Sequence, residues 1–170
     1  MHLTNQEWWG LVHGMGFGAL FLLAFAGGLA GLYSLRPGLV TAQGVVERMR
    51  RLKIGVTAMA VAAWGTVLTG TFVVYPWYRD PATSSPKSVL ITNPQTADWH
   101  EFGMEWKEHI AWISPILATA VAFIVVYYGT NLIRHERVRK TAMVLLVAAF
   151  GFAAVAGALG ALITKVAPVH

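Results

Sequence analysis

Cysteine is absent from all 170 residues. That excludes a disulfide framework, a cysteine-ligated iron–sulfur cluster and the covalent attachment of a c-type haem. Charge is scarce too: 12% of the residues are Asp, Glu, Lys or Arg, against 56% hydrophobic ones, and mean hydropathy is +0.55. A water-soluble fold would then need several long core helices with no polar face. The composition instead points to a membrane protein. The last apolar stretch, 141–164, holds no charge and no histidine.

Four stretches are long enough to cross about 30 Å of hydrocarbon, which takes roughly 20 apolar residues. They predict helices at about 8–35, 54–77, 99–133 and 141–164, with one outer loop at 78–98, in a single transmembrane domain. The net charge of +5 is unevenly placed. Arg36, Arg48, Arg50, Arg51 and Lys53 oppose only Glu47 in one connection, and Arg134, Arg137, Arg139 and Lys140 oppose only Glu136 in another. The rest of the chain outside the apolar runs carries four basic and six acidic residues. By the positive-inside rule both basic connections lie in the cytoplasm. The expected fold is therefore an all-α, integral membrane four-helix bundle, up-down-up-down, with both termini on the non-cytoplasmic side of the plasma (inner) membrane. The basic residues are orientation signals facing lipid and water, not a nucleic-acid surface. The start, Met-His-Leu-Thr-Asn-Gln-Glu, lacks a basic region, so the first apolar segment is expected to remain as a helix and not to act as a cleaved signal.

Along the chain, Trp8 and Trp9 suit the membrane interface. Gly10, Gly14 and Gly18 repeat at four around His13, and Gly27 and Gly31 repeat again further on. Such ridges admit a neighbouring helix or a flat ligand close to the backbone. Tyr75-Pro-Trp-Tyr-Arg79 ends the second span; an aromatic belt accounts for Tyr75, Trp77 and Tyr78, and Arg79 is placed for lipid phosphate or an anionic group. The 78–98 loop is long enough to fold over the mouth of the bundle as a lid or docking surface. Asp98 and Glu101 fit a capping box opening the third helix. Pro115 removes one backbone bond and frees the Ala111 carbonyl, so a kink is expected about one and a half turns inside His109. The ridge Gly151, Ala154, Gly157, Ala158, Ala161 marks the fourth helix as a packing helix.

Six histidines remain to be placed. His2 and His170 are near the ends and His135 is in a basic connection, so His13, His100 and His109 are the informative ones. His13 lies about 7 Å inside Trp8 along a helix. His109 stands where the third apolar run begins. Facing each other across a bundle, these two imidazoles would form a site for one b-type haem, with Gly10 and Gly14 making room. Phe17, Trp112 and Phe102 would pack its faces, and Glu105 would orient a ligand histidine. Arg79 or Lys107 would pair a propionate. A second arrangement is open: Glu101, Glu105, Glu108 and His109 share one helix face, as in non-haem metal bundles, although no other helix offers a matching Glu-x-x-His. His100 and Met104, four apart, would suit copper. Structural histidines with no cofactor are a third.

With its bundle plan and two histidines, the chain resembles the small four-helix membrane cytochromes b. That resemblance implies electron transfer between quinone, or a neighbouring redox subunit, and an external partner such as a c-type cytochrome. It also implies that His100 and the 78–98 loop shape a docking face or a quinol site. The chain departs from two-haem members in having no histidine in the cytoplasmic half of any span, so at most one haem, near the outer face, is expected. The rival expectation is a cofactor-free accessory or anchor subunit of a larger respiratory membrane complex. Oligomerisation is compatible with either.

Overall fold

The computed structural model describes residues 2–168; His170 lies outside the described residues. Five helices account for the regular structure: α1 Asn5–Ser34, α2 Gln43–Tyr78, α3 Pro86–Thr92, α4 Trp99–Arg134 and α5 Glu136–Val166, with no strand among the described residues. α1, α2, α4 and α5 run for 30, 36, 36 and 31 residues and are long and apolar enough to cross a membrane, which makes this a multi-pass membrane protein.

Three helices start earlier than hydropathy alone suggests, because local polar bonds extend them. α1 opens with a capping box: the Glu7 amide donates to Thr4 Oγ1 at 3.2 Å and the Thr4 amide to Glu7 Oε2 at 2.8 Å. Near the start of α2, Thr41 Oγ1 accepts from the Gly44 amide, and Glu47 holds Arg51 at 2.8 Å and Arg50 at 3.2 Å. Lys140 reaches back to Glu136 at 2.7 Å in the first turn of α5. α4 begins at Trp99 as expected, yet not through a capping box. Asp98 has helical angles (φ −58, ψ −26) and makes no side-chain cap bond, so it cannot act as an N-cap residue. The helix does lapse at Ala111 and Trp112, just before Pro115.

The principal packing runs α1–α2, α2–α4, α4–α5 and α5–α1, closing a ring of four helices. Its core is dense toward the basic connections. Leu32, Leu35, Val56, Met59, Val121, Val125, Leu132 and Leu146 are almost wholly buried there, and Phe25 stacks on Phe150 at 4.2 Å. Gly28 and Gly31 permit this approach, since a methyl at Gly31 would come within 3.1 Å of Leu52, and one at Gly28 within 3.5 Å of Leu146 and Val56. The expected Gly27/Gly31 ridge is thus Gly28/Gly31. On α5 the buried positions Ala142, Ala149, Ala156 and Ile163 recur at seven, while Gly151, Ala154, Gly157, Ala158 and Ala161 turn outward. The seven-residue period, not the small-residue ridge, is the packing seam.

The opposite half is packed differently. No residue is buried in Asn5–Leu11, Val12–Gly16, Gly70–Val74 or Glu105–Ile110. The 78–98 loop covers part of this end: α3 sinks Leu90 against Tyr78, Met104, Ile163 and Ala167.

Truncation should separate the seam from the lipid face. In lipid the transfer part of a core deletion shrinks and the lost packing remains, so Leu146→Ala should cost about 2 kcal/mol. Leu162→Ala, at a side chain 45% exposed, should cost far less. Unfolding of both variants by denaturing detergent would check this, and equal costs would refute the assigned seam.

Candidate functional site

His13 sits in a helical turn of unusual winding. The Phe17 amide reaches the Val12 carbonyl, five residues back, instead of the usual four. The same widened bonding recurs where the Tyr75 amide meets the Gly70 carbonyl and where the Glu105 amide meets the His100 carbonyl. Three helices thus carry a π-turn, a device frequent at functional sites. The His13 ring packs against α2 through its Cε1 corner: a methyl on Gly70 would come within 2.8 Å of His13 Cε1, and one on Gly65 within 2.6 Å of the Phe17 ring. By contrast, a methyl on Gly10, Gly14, Gly16 or Gly18 would meet nothing within 4 Å. These four glycines pack no helix of this chain.

The bonding of His13 defines its tautomer. His13 Nδ1 is 3.2 Å from Thr69 Oγ1, and that hydroxyl donates its single proton to the Gly65 carbonyl at 2.6 Å. Toward the imidazole, Thr69 can only accept. His13 therefore carries its proton on Nδ1 toward Thr69, and the Thr66 backbone is a second hydrogen-bond partner of the ring. His109 is held through the same atom by another route. Its Nδ1 donates to the Glu105 carbonyl at 2.6 Å, and a carbonyl can only accept. Its side chain is exposed.

Between α2 and α4 lies a polar cluster. Arg79 pairs with Glu105 at 2.5 Å and stands 3.6 Å from Glu108 Oε1, and its guanidinium lies 4.8 Å from the centre of the Tyr75 ring. Burial acts against the Arg79 charge, but Tyr75, Glu108 and Glu105 outweigh it and raise its affinity for the proton. Tyr75 donates to Glu108 Oε2 at 2.8 Å, whereas Glu108 Oε1 is buried with no hydrogen bond among the described residues. Tyr78, 5% exposed, meets His100 Nδ1 at 2.8 Å. Lys107 lies along the bare backbone of Gly160 and feels the charge of Glu108 and the ring of His13.

The sequence candidates divide accordingly. Glu105, Glu108, Arg79 and His100 fall in or beside this cluster, although Glu105 bonds His109 through its carbonyl while its carboxylate goes to Arg79. Phe17 packs on Gly65, and Trp112 meets Trp64 edge-on at 6.1 Å. Phe102 is 61% exposed and leans on Trp106. Met104 is buried in the apolar cluster with Leu90 and not against a histidine ligand set, and Glu101 is exposed. No group of three or more His, Asp or Glu that could hold a metal ion occurs among the described residues. Thr69, Tyr75 and Tyr78 were missed as functional residues. Thr69, one of several threonines late in the second apolar run, carries no signal of its own, and the tyrosines were already accounted for by the aromatic belt.

Comparison of the chain with protein-family models, curated proteins and solved structures returns no match.

Removing donors from Glu108 and Glu105 should have unequal effects. Tyr75→Phe takes from Glu108, whose side chain is 25% exposed, its one hydrogen-bond donor and should cost about 1.5–3 kcal/mol, the range for a hydrogen bond to a charged group. Arg79→Gln breaks a pair whose side chains are 36% and 41% exposed, so its cost should stay within about 1 kcal/mol. The two unfolding free energies in detergent, measured side by side, test the ranking.

Proposed function

We propose that this chain is a membrane electron-transfer subunit carrying one b-type haem in the half of the bundle around His13 and His109. It passes electrons between quinone, or a neighbouring redox subunit, and an external partner such as a c-type cytochrome. One observation carries the reading: both histidines are held through Nδ1, His13 by Thr69 and His109 by the Glu105 carbonyl, the arrangement in which an imidazole presents Nε2 to iron. Two further observations support it: a Cβ at Gly10 or Gly14 would meet nothing within 4 Å, and the helix turns on either side of His13 bury no residue. Bound haem supplies a one-electron ferric/ferrous couple.

The chain's own part is to bind and orient. Thr69 and the Glu105 carbonyl aim the two imidazoles, and Phe17 and Trp112 supply aromatic walls. Arg79 is already engaged with Glu105 and close to Glu108, which leaves Lys107 as the better cation for a propionate. Charge placement supports the orientation read from the sequence, an up-down-up-down bundle in the plasma membrane with both termini outside.

The test is a reduced-minus-oxidised spectrum of the protein purified from a haem-replete host, with a pyridine haemochrome assay. A sharp α band at about one haem per chain is expected. His13→Ala and His109→Ala should each abolish it, and Thr69→Ala should weaken haem affinity about 10- to 100-fold while leaving the fold intact. A colourless protein would leave the accessory-subunit reading standing.

Topology has its own check, because the chain has no cysteine of its own. Single cysteines at Gln95 and Arg137 should be labelled by an impermeant maleimide from outside and only after lysis, respectively. The reverse pattern would overturn the orientation.

A further inference from the structure

At the basic end of the bundle, far from His13, α2 and α4 diverge around a groove of about 450 Å³. Its floor is apolar: Met49 is 3% exposed, and Val46 and Tyr128 form the sides. Its rim is cationic, with Lys53 and Arg50. Gly129 (φ +51) lets α4 change its winding here, and the Lys53 ammonium lies over this bare backbone, 3.7 Å from where a Cβ would be. The two cations are not equivalent. Arg50 is held by both carboxylate oxygens of Glu47, at 3.2 and 3.3 Å. Lys53 makes no hydrogen bond or ion pair among the described residues.

We propose that this groove binds the phosphate of an anionic phospholipid, with Lys53 as the counter-charge. The site joins the two chemistries such a lipid carries. An ammonium without a partner faces the phosphodiester, and the exposed Thr130 hydroxyl on the rim can donate to it. Met49, Val46 and Tyr128 meet the glycerol and the first acyl carbons. A free inorganic anion would use the rim and leave the apolar floor wet. A zwitterionic lipid would set its own cation against Lys53. The position suits the occupant as well, because the groove lies where two apolar spans end in basic connections. This assignment is independent of the haem reading.

The experiment is native mass spectrometry of the full chain in neutral detergent, titrated with phosphatidylglycerol, phosphatidylcholine or inorganic phosphate. Phosphatidylglycerol should be retained in preference to phosphatidylcholine, and equimolar phosphate should not displace it. Lys53→Gln should lower its retention about fivefold, and Lys53→Arg should restore it. Arg134→Gln, which removes a nearby charge outside the groove, should change retention less than twofold. Equal retention of the two lipids, displacement by phosphate, or an equal loss in Arg134→Gln would each overturn the proposal.

Discussion

A hydroxyl has one proton to give, and Thr69 gives its proton to the Gly65 carbonyl. Everything particular about His13 follows from that. In a membrane there is no water to complete an imidazole's bonding, so each ring nitrogen must find a partner in the protein or keep a lone pair. With Thr69 able only to accept, His13 is a neutral ring protonated on Nδ1. The bare backbone of Gly70 then lets the Cε1 corner of the ring come close against α2. His13 is oriented through Nδ1 by Thr69, as His109 on α4 is by the Glu105 carbonyl.

The two halves of the bundle obey different rules. Toward the basic connections, side chains on a seven-residue period interdigitate, and Gly28 and Gly31 draw α1 tight against its neighbours. Toward the other end α5 keeps the period as far as Ile163, but α1, α2 and α4 each carry a turn bonded five residues back. Such a turn inserts one extra residue and rotates every following side chain by about 100°. Residues 5–16, Gly70–Val74 and Glu105–Ile110 accordingly bury no residue, and this end is closed instead by Tyr78, Leu90, Met104, Ile163 and Ala167.

How much of this was readable without coordinates depends on the kind of signal. Four spans, their order and the break before Pro115 follow from hydropathy and proline chemistry, which are local. So does the candidacy of His13, Glu105 and His109. The winding of the helices was not readable: Asp98 and Glu101 have the spacing of a capping box, yet the chain enters α4 through a π-turn with Asp98 already helical. Nor was the direction in which small residues face. The glycines of α5 read as a packing ridge and point outward, because the seam is set by Ala142, Ala149, Ala156 and Ile163. Tyr75 and Tyr78 were hidden by a sufficient explanation. A tyrosine at a membrane edge needs no partner to be accounted for, and only geometry reveals that these two grip Glu108 and His100.

Charge accounting separates the roles of the cations beside the histidines. Arg79 and Lys107 face Glu105 and Glu108, so the four charges nearest the histidines cancel without any ligand. An arriving anion that sought Arg79 would have to compete with carboxylates at 2.5 and 3.6 Å, and would expose charge it did not replace. Lys107 has no such bond to lose. It lies along Gly160, close enough to sense both Glu108 and His13. Arg79 therefore reads as a brace holding α4 to the end of α2, and Lys107 as the free cation. That division gives the cluster two roles: Arg79 and Tyr75 hold Glu105 and Glu108 in place, and the backbone of Glu105 in turn aims His109.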